Sequence, residues 1–540
     1  MRNHSKKWTT PLIYRMASCI EPPPKRDIEE AYRSIQNRLR RYSATSIAEL
    51  ALHLMWNQPE SKRDQVATLP WLTLLLVKWA VQDRGVHLRV GTRIPLAEMD
   101  DLRQRLWELQ GVNEREDHKP NVWLMLRSIL YGQYEFQRGP SWGFLRWPAL
   151  FDRLDSGSVC RRHFREVMGL EPAEYLDMAY GLYAAVLDGN MPLNADWLAP
   201  FRAVYGAKVD RMYDLLVRDL ASLRIELERD EAHRIRGKQE IFEFPYLRRF
   251  PFLRLRDGRL HCWHPIVFAR GVEEAVHLRL SQIGKDYVDE FSRVYERYVT
   301  ELAMQCGMRA LDEQEYKSRI GGHASAVEVI LEGHECNIFV EAKMALFADD
   351  VLLQDSEIAI HQKTKRLRDA IKQGWKVGAL IRSPESGFGS RFQTETDYLI
   401  VVTNRELLLS NGDALCRLYA PGAFDYPDDA ARARLPLSHV FIVSIEDFEN
   451  TMGCVEAGEV DLSKLLKEAV VANQRGDTAR MFFSDFLGKY TRRWRMSKVL
   501  RDARNAAERR VVTALGGTAS DLARMRSTQE SEDADAQSQN

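Results

Sequence analysis

The spacing of apolar and polar positions changes character near the middle of the chain. In the first 240 residues apolar side chains recur every three to four positions: Ile28, Tyr32, Ile35, Leu39 and Tyr42 form one stripe, and Val209, Tyr213, Leu216, Leu220, Leu223 and Leu227 another. Each stripe buries one face of a helix, so this half reads as a helical assembly. Asp27 with Glu30 and Ser46 with Glu49 have the spacing of capping boxes that open helices. The tryptophans here, including Trp56, Trp71, Trp79, Trp107 and Trp123, are expected to pack a core rather than stack on bases.

Further along, strand-type patterns appear. Phe252 to Leu260 alternates around Asp257-Gly258, a strong hairpin signal. Phe291, Val294, Tyr295, Tyr298 and Leu302 keep helical spacing, with Glu296 at the margin of the buried stripe. Two short apolar runs follow, Ala326 to Leu331 and Ile338 to Lys343, separated by the polar, Gly-containing stretch Glu332 to Asn337; this reads as a hairpin. Glu357 to Gln373 is expected to be helical. Val377 to Ile381, Tyr398 to Thr403 and His439 to Ile445 read as strands, and Ser383 to Asp397 as an exposed connection or a flap.

The second run contains the most informative residues, Glu341 and Lys343. Side chains on a strand alternate faces, so this acid and this amine share one side of an otherwise apolar strand. Unpaired charges in a low-dielectric interior cost several kcal/mol, so both must face a metal ion, a substrate charge or each other. The other Glu-x-Lys triplet, Glu315-Tyr316-Lys317, sits in polar sequence and reads as surface. Glu328 interrupts the first run, and folding the hairpin brings it toward Glu341. Glu328, Glu341 and the Ala342 carbonyl are hard oxygen donors, the set that suits Mg²⁺ or Mn²⁺ with waters attached. The plainer reading of the same residues is a salt bridge on the sheet.

This constellation resembles the PD-(D/E)XK nuclease superfamily over roughly residues 241 to 450. Phe291 to Val299 is similar to the family's F-E-x-Y-V helix with one turn added, Glu328 takes the place of an acid that is usually Asp, and Glu341 with Lys343 matches its E-x-K. The resemblance implies a fold class: an α/β restriction-endonuclease-like core (αβββαβ, mixed sheet) preceded by a large, mostly α-helical domain. It implies a catalytic set of Glu328, Glu341, Lys343, Glu296 and Gln362, with Glu328, Glu341 and Ala342 as metal ligands. The activity expected is Mg²⁺- or Mn²⁺-dependent phosphodiester hydrolysis, with DNA as substrate and an endonuclease role in bacterial defence. The basic helix residues Lys363, Lys365, Arg366, Arg368 and Lys372 would hold the phosphate backbone. Two other classes stay open: a non-catalytic nucleic-acid-binding or scaffold protein on the same fold, and a carboxylate-pair glycosidase, which Lys343 argues against.

Lys plus Arg and Asp plus Glu both total 77 in 540 residues, so no global field draws the chain onto nucleic acid. Binding must come from local patches, of which the basic helix, Arg492 to Arg495 with Lys498, Arg501 and Arg504, and Arg248-Arg249 with Arg254, Arg256 and Arg259 are candidates. The seven Cys lack a C-x-x-C pair, which argues against a zinc module and for a reducing compartment. The apolar run Leu72 to Val77 is too short to span a bilayer, no secretory signal is apparent and no P-loop occurs, so the chain is expected to be cytoplasmic and not membrane-bound. The expected organisation is a flexible segment 1–26, a helical domain 27–240 for sensing, recognition or oligomerisation, a nuclease-like domain 241–455, a helical extension 456–525 and a disordered tail 526–540.

Overall fold

The computed structural model describes residues 25–57, 70–83, 91–113, 130, 132–136, 141–230, 240–241, 243–321, 324–344, 364–417, 419, 422–491 and 494–518. Helices dominate, joined by a three-stranded and a five-stranded sheet. The chain divides into two compact units, at places other than the expected 240/241 and 455/456 boundaries. One comprises Met1–Ser141, Asp177–Ala275 and Ala506–Asn540, the other Trp142–Leu176 and Val276–Asn505.

In the first unit the helices Lys25–Leu39, Ala44–Trp56, Pro70–Gln82 and Leu96–Asn113 surround a core rich in Leu and Trp. Helix Pro70–Gln82 is buried from Trp71 to Val81, which explains the apolar run. Lys78 is tolerated inside it because its ammonium donates to Glu240 at 3.0 Å, and the Trp79 indole donates to the same carboxylate at 2.8 Å. Trp71 and Trp79 are therefore core residues, as expected; Trp123 lies outside the described residues. Two local expectations fail. Ser43, not Ser46, caps helix Ala44–Trp56, because the Ser46 hydroxyl accepts from the Ile94 N–H instead. The stripe from Val209 to Leu227 is broken into helices Lys208–Leu216 and Leu220–Arg229 by β1 (Val217–Arg218), since Asp219 and Ser222 form a capping box that starts a new helix. β1 pairs in parallel with β2 (Phe252–Arg254), which pairs antiparallel with β3 (Leu260–Cys262). The Asp-Gly hairpin is real but belongs to this unit.

The second unit is built on a sheet ordered β4 (Ala310–Asp312), β5 (Val329–Gly333), β6 (Cys336–Lys343), β7 (Thr396–Thr403), β8 (Val440–Ser444). β4, β5 and β6 run antiparallel to one another, while β6, β7 and β8 are parallel. Helix Lys285–Met304 precedes β4 and helix Lys365–Leu380 connects β6 to β7. Helix Glu313–Ile320 is an insertion between β4 and β5. It carries Glu315 and Lys317 on its surface, where Lys317 pairs with Glu313. The parallel strands are buried on both faces, so they read as continuous apolar runs rather than alternations.

Two expectations change here. Val377 to Ile381 is not a strand but the end of helix Lys365–Leu380, whose Gly374 and Gly378 let it lie close on the sheet. A Cβ on Gly378 would come 3.0 Å from the Asp397 carboxylate, so a larger residue there would have to push that buried carboxylate aside. Of the two readings of Ser383 to Asp397, an exposed connection holds for Pro384, Glu385, Gly387, Gly389, Ser390, Gln393 and Glu395, while buried Phe388 and Phe392, the first stacked on Tyr316, tie the segment down rather than leave it a flap. At the N-terminal ends of β6 and β7, Arg382 grips Asp397 through both oxygens at 2.9 and 2.6 Å, with Asn337 donating at 2.8 Å. Helix Lys285–Met304 is tied down by Tyr298, which donates at 2.5 Å to Glu449, itself held by Arg146 at 2.6 and 2.8 Å.

Candidate functional site

β5 and β6 form the expected hairpin, closed tightly at Gly333 and Cys336 with Glu335 in the left-handed region. Its register pairs Val329 with Val340, so the next pair outward is Glu328 with Glu341. Directly opposed residues of an antiparallel pair point to the same face, which sets the two carboxylates side by side. The Ala342 N–H donates to Glu328 Oε1 at 3.3 Å. The Lys343 ammonium closes an ion pair with Glu341. Glu341 is wholly buried and Glu328 is 8% exposed, whereas the Lys343 side chain is 20% exposed. Solvent therefore meets the ammonium first.

Helix Lys365–Leu380 supplies a residue that sequence reasoning missed. Gln373 donates to the Ala326 carbonyl, and its amide nitrogen lies 3.5 Å from Glu341 Oε2. The expected glutamine was Gln362, which lies outside the described residues together with Lys363. A usable signal was present: Gln373 immediately precedes Gly374, and the glycine that brings the helix against β7 is what lets its neighbour reach β6.

Glu296 sits half-exposed on helix Lys285–Met304 and is linked to the cluster through charge alone. Burial raises its pKa, and Lys343 opposes the shift. Burial also pushes Glu328 well above the usual carboxylate range, the charge of Glu341 adds to this, and Lys343 works against it. Burial raises Glu341 too, opposed by the same ammonium. Burial pulls Lys343 down, but Glu341, Glu328 and Glu296 outweigh it and leave its pKa raised. One ammonium thus faces three carboxylates. The cluster is short of positive charge.

The donor set fits a hard divalent cation: Glu328 and Glu341 can offer carboxylate oxygens and Ala342 a carbonyl, and Mg²⁺ needs only one or two carboxylates when substrate and water complete its shell. Among the described residues no group of three or more His, Cys, Asp or Glu side chains is placed to hold a metal by itself. Of the basic helix, Lys365, Arg366 and Lys372 are exposed, and Arg366 donates to the Met344 carbonyl at 3.2 Å, one residue beyond Lys343. Arg368 instead lies over the Tyr419 ring, 5.9 Å from its centroid.

The other two basic patches are neutralised only in part, and Arg254, Arg256 and Arg259 stay exposed. Arg248 is buried against Glu274, and Arg249 pairs with Asp230. Arg495 pairs with Glu459, Arg501 with Glu456 and Lys498 with Asp502; Arg492 and Arg493 lie outside the described residues. No helix among the described residues is long and apolar enough to cross a membrane. Comparisons with protein-family models, with curated proteins and with solved structures find no match to this chain.

Proposed function

We propose that the second unit is a metal-dependent nuclease of PD-(D/E)XK type. The observation that carries this reading is the β5–β6 register, which sets Glu328 beside Glu341 with Lys343 next to them. The order helix, β4, β5, β6, helix, β7 agrees with the αβββαβ core that the resemblance implies. Glu328, Glu341 and the Ala342 carbonyl would hold Mg²⁺ or Mn²⁺, which when bound polarises a phosphoryl oxygen and acidifies a water. Lys343 would leave Glu341 and place its charge against the phosphoryl oxygens, a contribution on the order of several kcal/mol in a water-poor site. Gln373 would hold Glu341 in orientation, and Lys365, Arg366 and Lys372 would meet the backbone phosphates of DNA. A defence role follows only from the resemblance.

One observation favours a second reading, a non-catalytic nucleic-acid-binding or scaffold protein: the Glu341–Lys343 ion pair is already complete without a metal. Purified chain is incubated with plasmid, linear and single-stranded substrates in Mg²⁺, Mn²⁺ or EDTA, beside Glu341→Ala and Lys343→Ala. The nuclease reading expects cleavage that needs the cation and falls at least about a hundredfold in each variant. Cation-independent binding retained in both variants, with no cleavage by any form, assigns the chain to the second reading.

A further inference from the structure

We infer that a cleft in the first unit binds a guanine-type base or nucleoside, a site separate from the carboxylate cluster. Glu49, Leu52, His53 and Trp56 occupy one face of helix Ala44–Trp56, at the i, i+3, i+4 and i+7 spacing that aligns side chains. They line a cleft of about 250 Å³ whose other wall includes Pro192 and His261. That volume falls just below the roughly 300–1,000 Å³ of drug-sized sites, the scale of one fused ring system rather than a larger molecule.

The chemistry of the walls narrows the ligand. The Trp56 indole N–H is satisfied by the Cys262 carbonyl at 2.7 Å, so the ring is held in place and what it offers is its face. A flat aromatic ligand matches that face and the Pro192 ring. Glu49 is exposed and, among the described residues, no hydrogen bond or ion pair engages its carboxylate, so it presents two acceptors. The Asn57 amide nitrogen donates to the His53 carbonyl at 3.2 Å and faces His53 Nδ1 at the same distance; Nδ1 is then the acceptor, and Nε2–H is left as a donor. His261 Nε2 is turned to Asp257 at 3.3 Å. The ligand must therefore bring adjacent N–H donors to Glu49 and an acceptor to His53. Guanine has both, through N1–H with its exocyclic amine and through its carbonyl and ring nitrogens. Among the described residues no Lys or Arg lines the cleft, and Arg259 behind its wall is turned to the Pro192 carbonyl at 2.7 Å, so a phosphate would find no partner inside it. The base or nucleoside itself is the fitting species.

Calorimetric titration of the full chain with guanosine, inosine and uridine tests this, with wild type, Glu49→Gln and Trp56→Leu run in parallel. Guanosine is expected to bind with a submillimolar Kd and uridine not at all. Inosine, which lacks the exocyclic amine, should bind at least about fivefold more weakly, and Glu49→Gln should weaken guanosine about tenfold or more, the scale of a charge-assisted hydrogen bond. Glu49 is exposed, so the Gln variant should melt with wild type and its binding is interpretable even where Trp56→Leu is destabilised. Absence of guanosine binding up to 5 mM (roughly −3 kcal/mol), or binding that Glu49→Gln leaves unchanged, overturns the assignment.

Discussion

Replacing Glu328 with Gln removes a buried group that must hold a proton to fold, while keeping its shape and the acceptor for the Ala342 N–H. Opposed side chains of an antiparallel pair lie about 5 Å apart, and at an effective dielectric constant of about 20 two negative charges there would repel by roughly 3 kcal/mol, so Glu328 keeps its proton and the folded state carries the cost of holding it above the group's usual pKa. Lys343 offsets part of this, so relief on the order of 1–2 kcal/mol remains for the variant. The pH dependence has a definite sign. Glu328 holds its proton more tightly when folded than its usual 4.5, so the stability it contributes is present below that value and is lost as pH rises through the raised one.

Thermal unfolding is measured at pH 5 and pH 8, in EDTA and in 10 mM Mg²⁺ (about tenfold over a typical millimolar Kd). In EDTA at pH 8 Glu328→Gln should melt roughly 2–4 °C above wild type, and at pH 5 the gap should narrow. Magnesium should raise wild type by about 1.4 kcal/mol if the ion binds with a Kd near 1 mM, and the variant by much less. A variant no more stable than wild type at pH 8, or an equal magnesium shift in both proteins, refutes the view that Glu328 is a strained carboxyl group whose ionisation awaits a cation.

Gln373→Leu removes a donor from both Glu341 and the Ala326 carbonyl; denaturant unfolding should show a loss of roughly 1–3 kcal/mol and cleavage should fall with it. Lys343→Arg should not rescue activity in the plasmid assay, because a planar fork cannot replace a compact ammonium beside Glu341. Arg382→Met leaves Asp397 buried without its main partner and should cost about 3–5 kcal/mol in urea denaturation, while the double variant Arg382→Met with Asp397→Leu should recover part of that. Gly378→Val should lower the melting temperature more than Lys376→Ala, since a Cβ at 378 meets the Asp397 carboxylate and position 376 is exposed.

The hairpin was legible because its signal is local: two apolar runs, a polar Gly-containing turn and a period of two determine which residues face one another. The pairing of Glu328 with Glu341 follows from that register, and so does the separation of the second Glu-x-Lys, which lands on a helix surface. Segment boundaries were not legible for the opposite reason. Trp142–Leu176 packs in the second unit through Trp147 and Phe151, whose partner Phe291 lies more than a hundred residues away, with Phe164 behind Phe151, and nothing near those aromatics in sequence announces it.

The misread end of helix Lys365–Leu380 follows from the same distinction. Val377, Gly378, Ala379, Leu380 and Ile381 form a short apolar run, and by period alone a buried strand and the buried last turn of a helix are alike. What separates them is a contact outside the run, the closeness to β7 that Gly374 and Gly378 permit. That closeness also determines the site. A strand at 377–381 would end the helix before Gly374 could seat it on the sheet, and Gln373 would have no reason to reach Glu341. The same two glycines therefore account for the helix that local pattern mistook and for the polar contact that the E-x-K motif alone could not supply.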